Sequence, residues 1–469
     1  MRKTYLLLSL GLLLVACESE PEKPNFIVIF CDDLGYGDLA TYGHPIHKTP
    51  NLDQMAQEGI KFTNFYVSSG VCTPSRSSLM TGCYSQRVDM EVNARPYGTT
   101  GRQVLFPVAK KGLNPDEITI AEILKKQGYS TACIGKWHLG DQPQFLPTRQ
   151  GFDYYYGIPY SNDMNREYCT QPLLRMEKVI EAPVDQSTIT KRYTEEAIKF
   201  IKEQQEKPFF LYLPHTMPHN PVNASEKFKG KSGNGLYGDA VEEIDWSTGQ
   251  ILATLKELEL DQNTLVIFTS DNGAASNWGG SNAPLSGWKA STMEGGMRVP
   301  AIMWWPGELQ QGAECGAMTT TMDLLPTFAK LAGGNVPGDR MIDGKGINFL
   351  LQDPTGNSPH EVFFYYQKEQ LQAVRSGEWK LHLALDSTFQ NIHRPGMTKG
   401  RPLKLVNLKE DIKEEVDRST EHPDIVAKLQ QYAEKARTEL GDLGQEGNAV
   451  RKAGIEEDPK CLEMEAEEI

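Results

Sequence analysis

Four times along this chain a short apolar stretch runs straight into charged or polar residues. The first is NFIVIFC, Asn25 to Cys31, followed by Asp32-Asp33. A strand with one wet face alternates apolar and polar residues, so an unbroken run predicts a strand buried on both faces. DEITIAEILKKQGYSTACIGKWHLG predicts a helix near 118–126, a stop at Gly128 and a strand near 129–134, ending on Lys136 and His138. TEEAIKFIKEQQEKPFFLYLPHTMPH repeats the plan, with a strand near 209–213 that leads to His215 and His219. A fourth helix and strand, the latter near 265–269, lead to Asp271-Asn272. Helices alternating with buried strands predict an α/β fold with a mostly parallel sheet sandwiched by helices.

The pattern changes near residue 359. EVFFYYQ, LQAVRSGEWKLHLA and LKLVNL read as short strands with tight turns, and a polar helix follows near 424–440. A small α+β domain of an antiparallel sheet and one helix is therefore expected over 359–455, after a catalytic domain over 25–358. That division suits a chain of 469 residues, too long for one ordinary core. The acidic segment 456–469 reads as a solvated tail.

The start of the chain carries Arg2 and Lys3, then an apolar run to Ala16 that is too short to span a bilayer. Leu14-Val15-Ala16-Cys17 resembles a bacterial lipoprotein processing box. It implies a signal peptide over 1–16, lipid on Cys17 and a polar tether over 17–24, hence a lipid anchor at the periplasm or cell surface. The competing reading is a plain secretory signal. An exported chain permits disulfides, but the spacing of its eight cysteines names no pairs and includes no CxxC. Cys31 and Cys133 lie in apolar runs and read as buried, inert thiols.

In open α/β sheets ligands bind beyond the carboxyl ends of the strands, where all four polar clusters fall. Asp32, Asp33, Asp271 and Asn272 are hard oxygen ligands, suited to Ca²⁺ or Mg²⁺ rather than Zn²⁺. Adjacent acids repel, and a divalent cation removes that cost. Lys136, His138, His219 and Lys289, with Arg76, could surround an anion. The formal net charge of −14 argues against a nucleic-acid binder and leaves room for such a local basic pocket. His215 reads equally as a structural or a catalytic histidine. Tyr154–Tyr156 read more readily as core than as a sugar platform. Cys72 precedes Pro74, which suits the first turn of a helix, so Cys72 should lie near a helix N-terminus where an anion is favoured. Soft sulfur beside a hard cation is a mismatch, and the site calls for an oxygen nucleophile.

These residues carry a family resemblance. CTPSRSSLMTG matches the C-x-P-S-R-x-x-x-x-T-G motif of the type I sulfatases, and DDLGYGD, GKWHLG, GIPYSND, HTMPHNP, SDNGA and WKASTMEGGMRVPAIMWWPG follow in that family's order. The chain is most similar to the arylsulfatase A and N-acetylgalactosamine-6-sulfatase branch. The resemblance implies an alkaline phosphatase-like fold and removal of sulfate from a carbohydrate. It implies that a separate maturation enzyme oxidises Cys72 to Cα-formylglycine, whose hydrate attacks sulfur with one hydroxyl while the second later expels sulfate. It also assigns Ca²⁺ to Asp32, Asp33, Asp271, Asn272 and the modified Cys72. Arg76 then stabilises the hydrate, and Asp271 helps deprotonate it. Lys136, Ser161, His219 and Lys289 hold the sulfate, His219 donates a proton to the leaving oxygen, and His138 assists release of the sulfuryl group. Two other classes remain open at this point: a phosphoester or phosphonate hydrolase of the same superfamily, and a glycan-binding protein without catalysis.

Overall fold

The computed structural model describes residues 23–93, 102–388 and 398–464. The signal peptide, Cys17 and most of the tether lie outside the described residues, as does the end of the acidic segment.

An eleven-stranded sheet forms the centre. In chain order its strands are β1 (Asn25–Cys31), β2 (Ile60–Tyr66), β3 (Ser130–Ile134), β4 (Tyr154–Gly157), β5 (Leu173–Arg175), β6 (Lys178–Glu181), β7 (Phe209–Pro214), β8 (Thr264–Ser270), β9 (Arg298–Trp304), β10 (Ala313–Cys315) and β11 (Thr319–Thr320). Across the sheet they run β10-β2-β9-β8-β1-β7-β3-β4-β5-β6, with β11 beside β2. The central strands β8, β1, β7, β3 and β4 are parallel, as expected, so their carboxyl ends share one edge. β9 is antiparallel to both its neighbours, and β5 and β6 extend the far side antiparallel.

β1 explains the unbroken apolar run. Phe26, Val28 and Phe30 enter one core, while Ile27, Ile29 and Cys31 enter the other. The first core is closed by α2 (Cys72–Thr81), α3 (Ile120–Lys126) and α6 (Leu324–Leu331). The second is closed by α1 (Pro50–Glu58), α4 (Ile189–Glu203) and α5 (Gly235–Glu257). α3 begins with a capping box between Thr119 and Glu122, the local signal that starts it two residues later than periodicity suggests. Cys31 and Cys133 are buried free thiols, as read. Tyr155 and Tyr156 are core, and the Tyr154 hydroxyl donates to Glu196.

The second domain has the expected antiparallel sheet: β12 (Phe363–Gln367), β13 (Gln370–Ser376), β14 (Trp379–His382) and β17 (Lys404–Asn407), in that order, packed on α7 (Pro423–Leu440). A hairpin of β15 (Leu385–Thr388) and β16 (Thr398–Arg401) projects from it.

The described residues after 455 are exposed or half-buried, as a solvated segment should be, but they are not free of the body. Cys461 is disulfide-bonded to Cys169, and Gln142 exchanges hydrogen bonds with the backbone of Lys460 at 2.9 and 3.0 Å. A disulfide and a paired amide tie this end to the first domain, which its acidic composition did not reveal.

The two domains also share a buried ionic network. Lys380 Nζ on β14 lies 3.0 Å from Glu294 and 2.8 Å from Glu414. Glu414 Oε2 in turn accepts from Ser286 Oγ at 2.9 Å and Glu294 N at 2.8 Å, so the second domain grips both ends of the loop that carries Lys289. Removing one member of a buried ion pair leaves an uncompensated charge. Lys380→Met is therefore expected to destabilise the fold by about 3–5 kcal/mol in urea unfolding; a loss within about 0.5 kcal/mol, typical of a surface change, would contradict this account.

Candidate active site

The carboxyl ends of β1, β3, β7 and β8 bring the four polar clusters together. Asp32 and Asp33 follow β1, Lys136 and His138 follow β3, His219 lies beyond β7, and Asp271 and Asn272 follow β8. All are buried. Gly135 lets the chain turn here: it has φ 139°, and a Cβ on it would lie 1.9 Å from the carbonyl oxygen of Pro214. Asp33 and His138 both hold left-handed backbone conformations, at φ 66° and 63°. Such conformations cost energy outside glycine and persist where surrounding bonds enforce them. His138 is so held, its N–H donating to Pro159 and its carbonyl accepting from Thr73 Oγ1, each at 3.1 Å.

α2 supplies Cys72 in its first turn and Arg76 four residues on, the spacing that puts both on one helix face. Arg76 donates from Nε and Nη2 to Asp271 Oδ2 at 3.1 and 2.7 Å, and from Nη1 to the carbonyl of Lys136 at 2.8 Å. Lys136 Nζ donates to Asp32 and, at 3.0 Å, to Ser161 Oγ. Lys289 Nζ donates to Asp33 Oδ2 at 2.8 Å. The backbone of Ala290 donates to Gly70 at 2.7 Å, which docks the Lys289 loop against the segment leading into Cys72.

Electrostatics follow from this packing. Burial alone would raise Asp32, but Lys136, His219, Arg76 and Lys289 outweigh it and hold its carboxyl far below the usual range. Asp271 is pushed up to about 7 by burial and the charge of Asp32, against the pull of Arg76. Burial pushes the Cys72 thiol up to about 11, so it is protonated at neutral pH and a poor sulfur nucleophile.

The two histidines differ in which nitrogen is committed. His138 Nε2 lies 2.8 Å from the carbonyl of Leu105, so Nε2 carries the proton and the bare Nδ1 has no partner among the described residues. Burial and Lys136 keep this ring neutral. His219 Nδ1 faces two acceptors, Asn162 Oδ1 at 2.8 Å and the carbonyl of Asn220 at 2.6 Å, which turns Nε2 toward Asp33 Oδ2, 3.7 Å away. Burial and the charge of Lys289 lower its pKa.

His215 stands apart. Its Nε2 pairs with Ser247 Oγ of α5 at 3.3 Å. Sequence reading missed Asn162, which orients His219, and Glu414, which holds the Lys289 loop from the second domain. Asn162 was within sight, beside Ser161 in GIPYSND. Glu414 lies 125 positions beyond Lys289 in a polar stretch with no local signal.

The oxygen atoms suit a divalent cation. Asp32 Oδ1 and Asn272 Oδ1 are buried acceptors without a hydrogen-bond partner among the described residues, Arg76 Nη2 lying 3.7 Å from the former. The amide nitrogen of Asn272 is committed to Asp33 Oδ1 at 2.7 Å and to the carbonyl of Gly273 at 2.9 Å, which fixes its oxygen as the free end. Single ligand atoms of Asp32, Cys72 and Asp271 lie within 4.8 Å of one another, as do those of Asp32, Asp33 and His219. Oxygen donors that lack protons in this arrangement fit a hard ion.

Comparison with known proteins gives the family. Residues 24–334 match the sulfatase family model, and residues 358–462 match that of the C-terminal region of aryl-sulfatase. The second match runs past residue 455 and takes in Cys461. N-acetylgalactosamine-6-sulfatase of Canis lupus familiaris is 41% identical over 396 residues, 80% of this chain and 75% of that one. Arylsulfatase A of Bos taurus is 39% identical over 405 residues, 80% of this chain and 77% of that one. The crystal structure of Ps i-CgsB in complex with a neocarrahexaose aligns with a TM-score of 0.75 and 30% identity, covering 88% of this chain and 92% of the other. The chain belongs to the sulfatase family and is a sulfuric ester hydrolase.

Proposed function

We propose that this enzyme removes sulfate from carbohydrate through a Cα-formylglycine made from Cys72, with Ca²⁺ held by Asp32, Asp33, Asp271 and Asn272. The observation that carries this reading is the placement of Cys72: it starts α2, its sulfur lies with the oxygens of Asp32 and Asp271, and its thiol is protonated and ineffective as it stands. The saccharide-binding and N-acetylgalactosamine-6-sulfatase relatives support a sugar sulfate as substrate.

Each step then has a residue. Lys136, Ser161, Lys289 and His219 receive the sulfate, and Arg76 holds Asp271 and the nucleophile in register. The ion, when bound, acts as a Lewis acid on the reacting oxygens. Hydration of the aldehyde gives two hydroxyls. One, deprotonated with the help of Asp271, forms the new S–O bond as the bond from sulfur to the sugar oxygen breaks. That leaving oxygen takes a proton from His219 Nε2, the nitrogen that faces the cluster; the charge of bound sulfate favours the protonated ring against the effect of burial. The remaining hydroxyl then gives its proton to the bare Nδ1 of His138, the carbonyl re-forms, and sulfate leaves.

The same reading places the enzyme on a lipid anchor at Cys17, in the periplasm or at the cell surface. The Cys169–Cys461 disulfide supports an oxidising compartment. Among the described residues no helix is long and apolar enough to cross a membrane.

Three outcomes are expected. In protein from its native host the peptide containing Cys72 carries the mass of an aldehyde or its hydrate, and Cys72→Ala lowers turnover on the order of 10³-fold or more; a plain thiol in fully active enzyme would sink the reading. Matched sulfate and phosphate esters are compared for kcat/KM, and a preference for phosphate would point to the phosphoester class instead. Ca²⁺ at about a hundred times its Kd should stabilise the fold by about 2.7 kcal/mol, read as a rise in Tm that Asp271→Asn diminishes; no rise in the unsubstituted protein argues against this metal.

A further inference from the structure

Beside the sulfate-binding residues lies a cavity of about 390 Å³, lined among others by Trp288, Lys289, Gln372, Thr388, Lys399 and Arg401. Its size falls within the range of small-ligand sites. Lys289 belongs to both places: it lines the cavity, and its ammonium group reaches Asp33 at 2.8 Å. The cavity therefore begins one lysine side chain from the centre where sulfate is held. Its other wall comes from the second domain, through β13 and the β15–β16 hairpin.

The charge of this lining is unusual for the chain. Lysine and arginine together number 48 against 62 acids, yet the described lining holds three cations and no carboxylate. Lys399 and Arg401 form no ion pair among the described residues. Arg401 uses Nη2 on the carbonyl of Gln372, but its Nε is buried with no hydrogen-bond partner there. Burial also draws its pKa down to about 10, outweighing the opposing charge of Glu414. A buried donor without an acceptor is costly, and an arriving anion would satisfy it with a charge-assisted bond. Trp288, 42% exposed at the rim, offers a broad apolar face against which the C–H face of a sugar ring can lie.

We propose that this cavity is a second sugar subsite, which takes the residue adjoining the sulfated sugar and requires an anionic group on it, a carboxylate or a second sulfate. Trp288 packs the ring, and Arg401 and Lys399 hold the anion. The inference rests on the carbohydrate-sulfatase reading and deepens it: the substrate is an acidic oligosaccharide rather than an isolated sulfated sugar, and the second domain sets that preference.

The test measures binding to full-length Cys72→Ala protein in Ca²⁺ buffer, so that neither turnover nor maturation enters. Three saccharides share one sulfated sugar and differ in its neighbour: neutral, uronic acid, or sulfated. At least one doubly anionic saccharide should bind about tenfold more tightly than the neutral-neighbour one, as expected for one charge-assisted contact. Which of the two binds more tightly identifies the anion. Arg401→Met and, separately, Lys399→Met should shrink that ratio, and Arg401→Lys should restore part of it. Lys399 is exposed, so its variant tests the idea even if Arg401→Met disturbs the hairpin. Equal binding of all three saccharides overturns the proposal, as does an unchanged ratio in the Lys399→Met and Arg401→Met proteins. Failure of the underlying reading has a different signature: no saccharide binds, while the matured enzyme still cleaves simple arylsulfates. That result removes both.

Discussion

The site depends on a balance of buried charge. Asp32, Asp33 and Asp271 converge from two neighbouring strands, and Arg76, Lys136 and Lys289 meet them from three other segments. Carboxylates packed this closely could not all ionise alone. The protein cations cancel them, but they do so one-sidedly: Asp32 is held ionised, while Asp271 remains near neutrality in its titration. A divalent ion held among the same oxygens would complete the neutralisation and leave the pocket net positive. This is how a chain of net charge −14 can present an anion site. The overall charge describes the surface, whereas the local sign comes from a few desolvated groups.

That balance requires segments far apart in the chain to arrive in register. β1 and β8 are adjacent and parallel, with Cys31 opposite Ser270, so their acidic ends must coincide. Lys289 has no such strand behind it. It is placed by Ala290 docking on Gly70 and by Glu414 and Lys380 gripping its loop from the second domain. The small domain is thus part of the site's support, since a loop without that grip would pay a larger entropic penalty to keep a lysine beside Asp33.

This division also decides what could be read from the sequence. Strands buried on both faces announce themselves as apolar runs, and the residues that follow them must sit at the sheet's ligand-binding edge. Asp32, Lys136, His219 and Asp271 were therefore legible by position, and Cys72 and Arg76 by helix spacing and motif. Side chains that act through long-range contacts left no such trace. Glu414 lies in an ordinary polar stretch, and Cys461 in an acidic segment whose composition suggested a free end. Only the fold shows that one clamps the loop carrying Lys289 and the other is bonded to Cys169. His138 lay between these cases: its position was visible, but the choice of Nδ1 as the bare nitrogen depends on the carbonyl of Leu105, 33 residues earlier.

The same packing limits when Cys72 can be altered. Its side chain is buried at the foot of α2, a helix whose every residue is buried. Another protein cannot grip an extended C-x-P-S-R segment once that helix has formed and packed, because the motif's backbone is then wound into the helix and Arg76 is bonded to Asp271. Reaching it would require α2 to unpack, at the cost of reopening the buried charge cluster. An enzyme that recognises the segment must meet it before the fold closes. On the proposed reading, chemistry at this residue and formation of the site would therefore be ordered in time: the nucleophile would be made first, and the acidic oxygens would assemble around it afterwards.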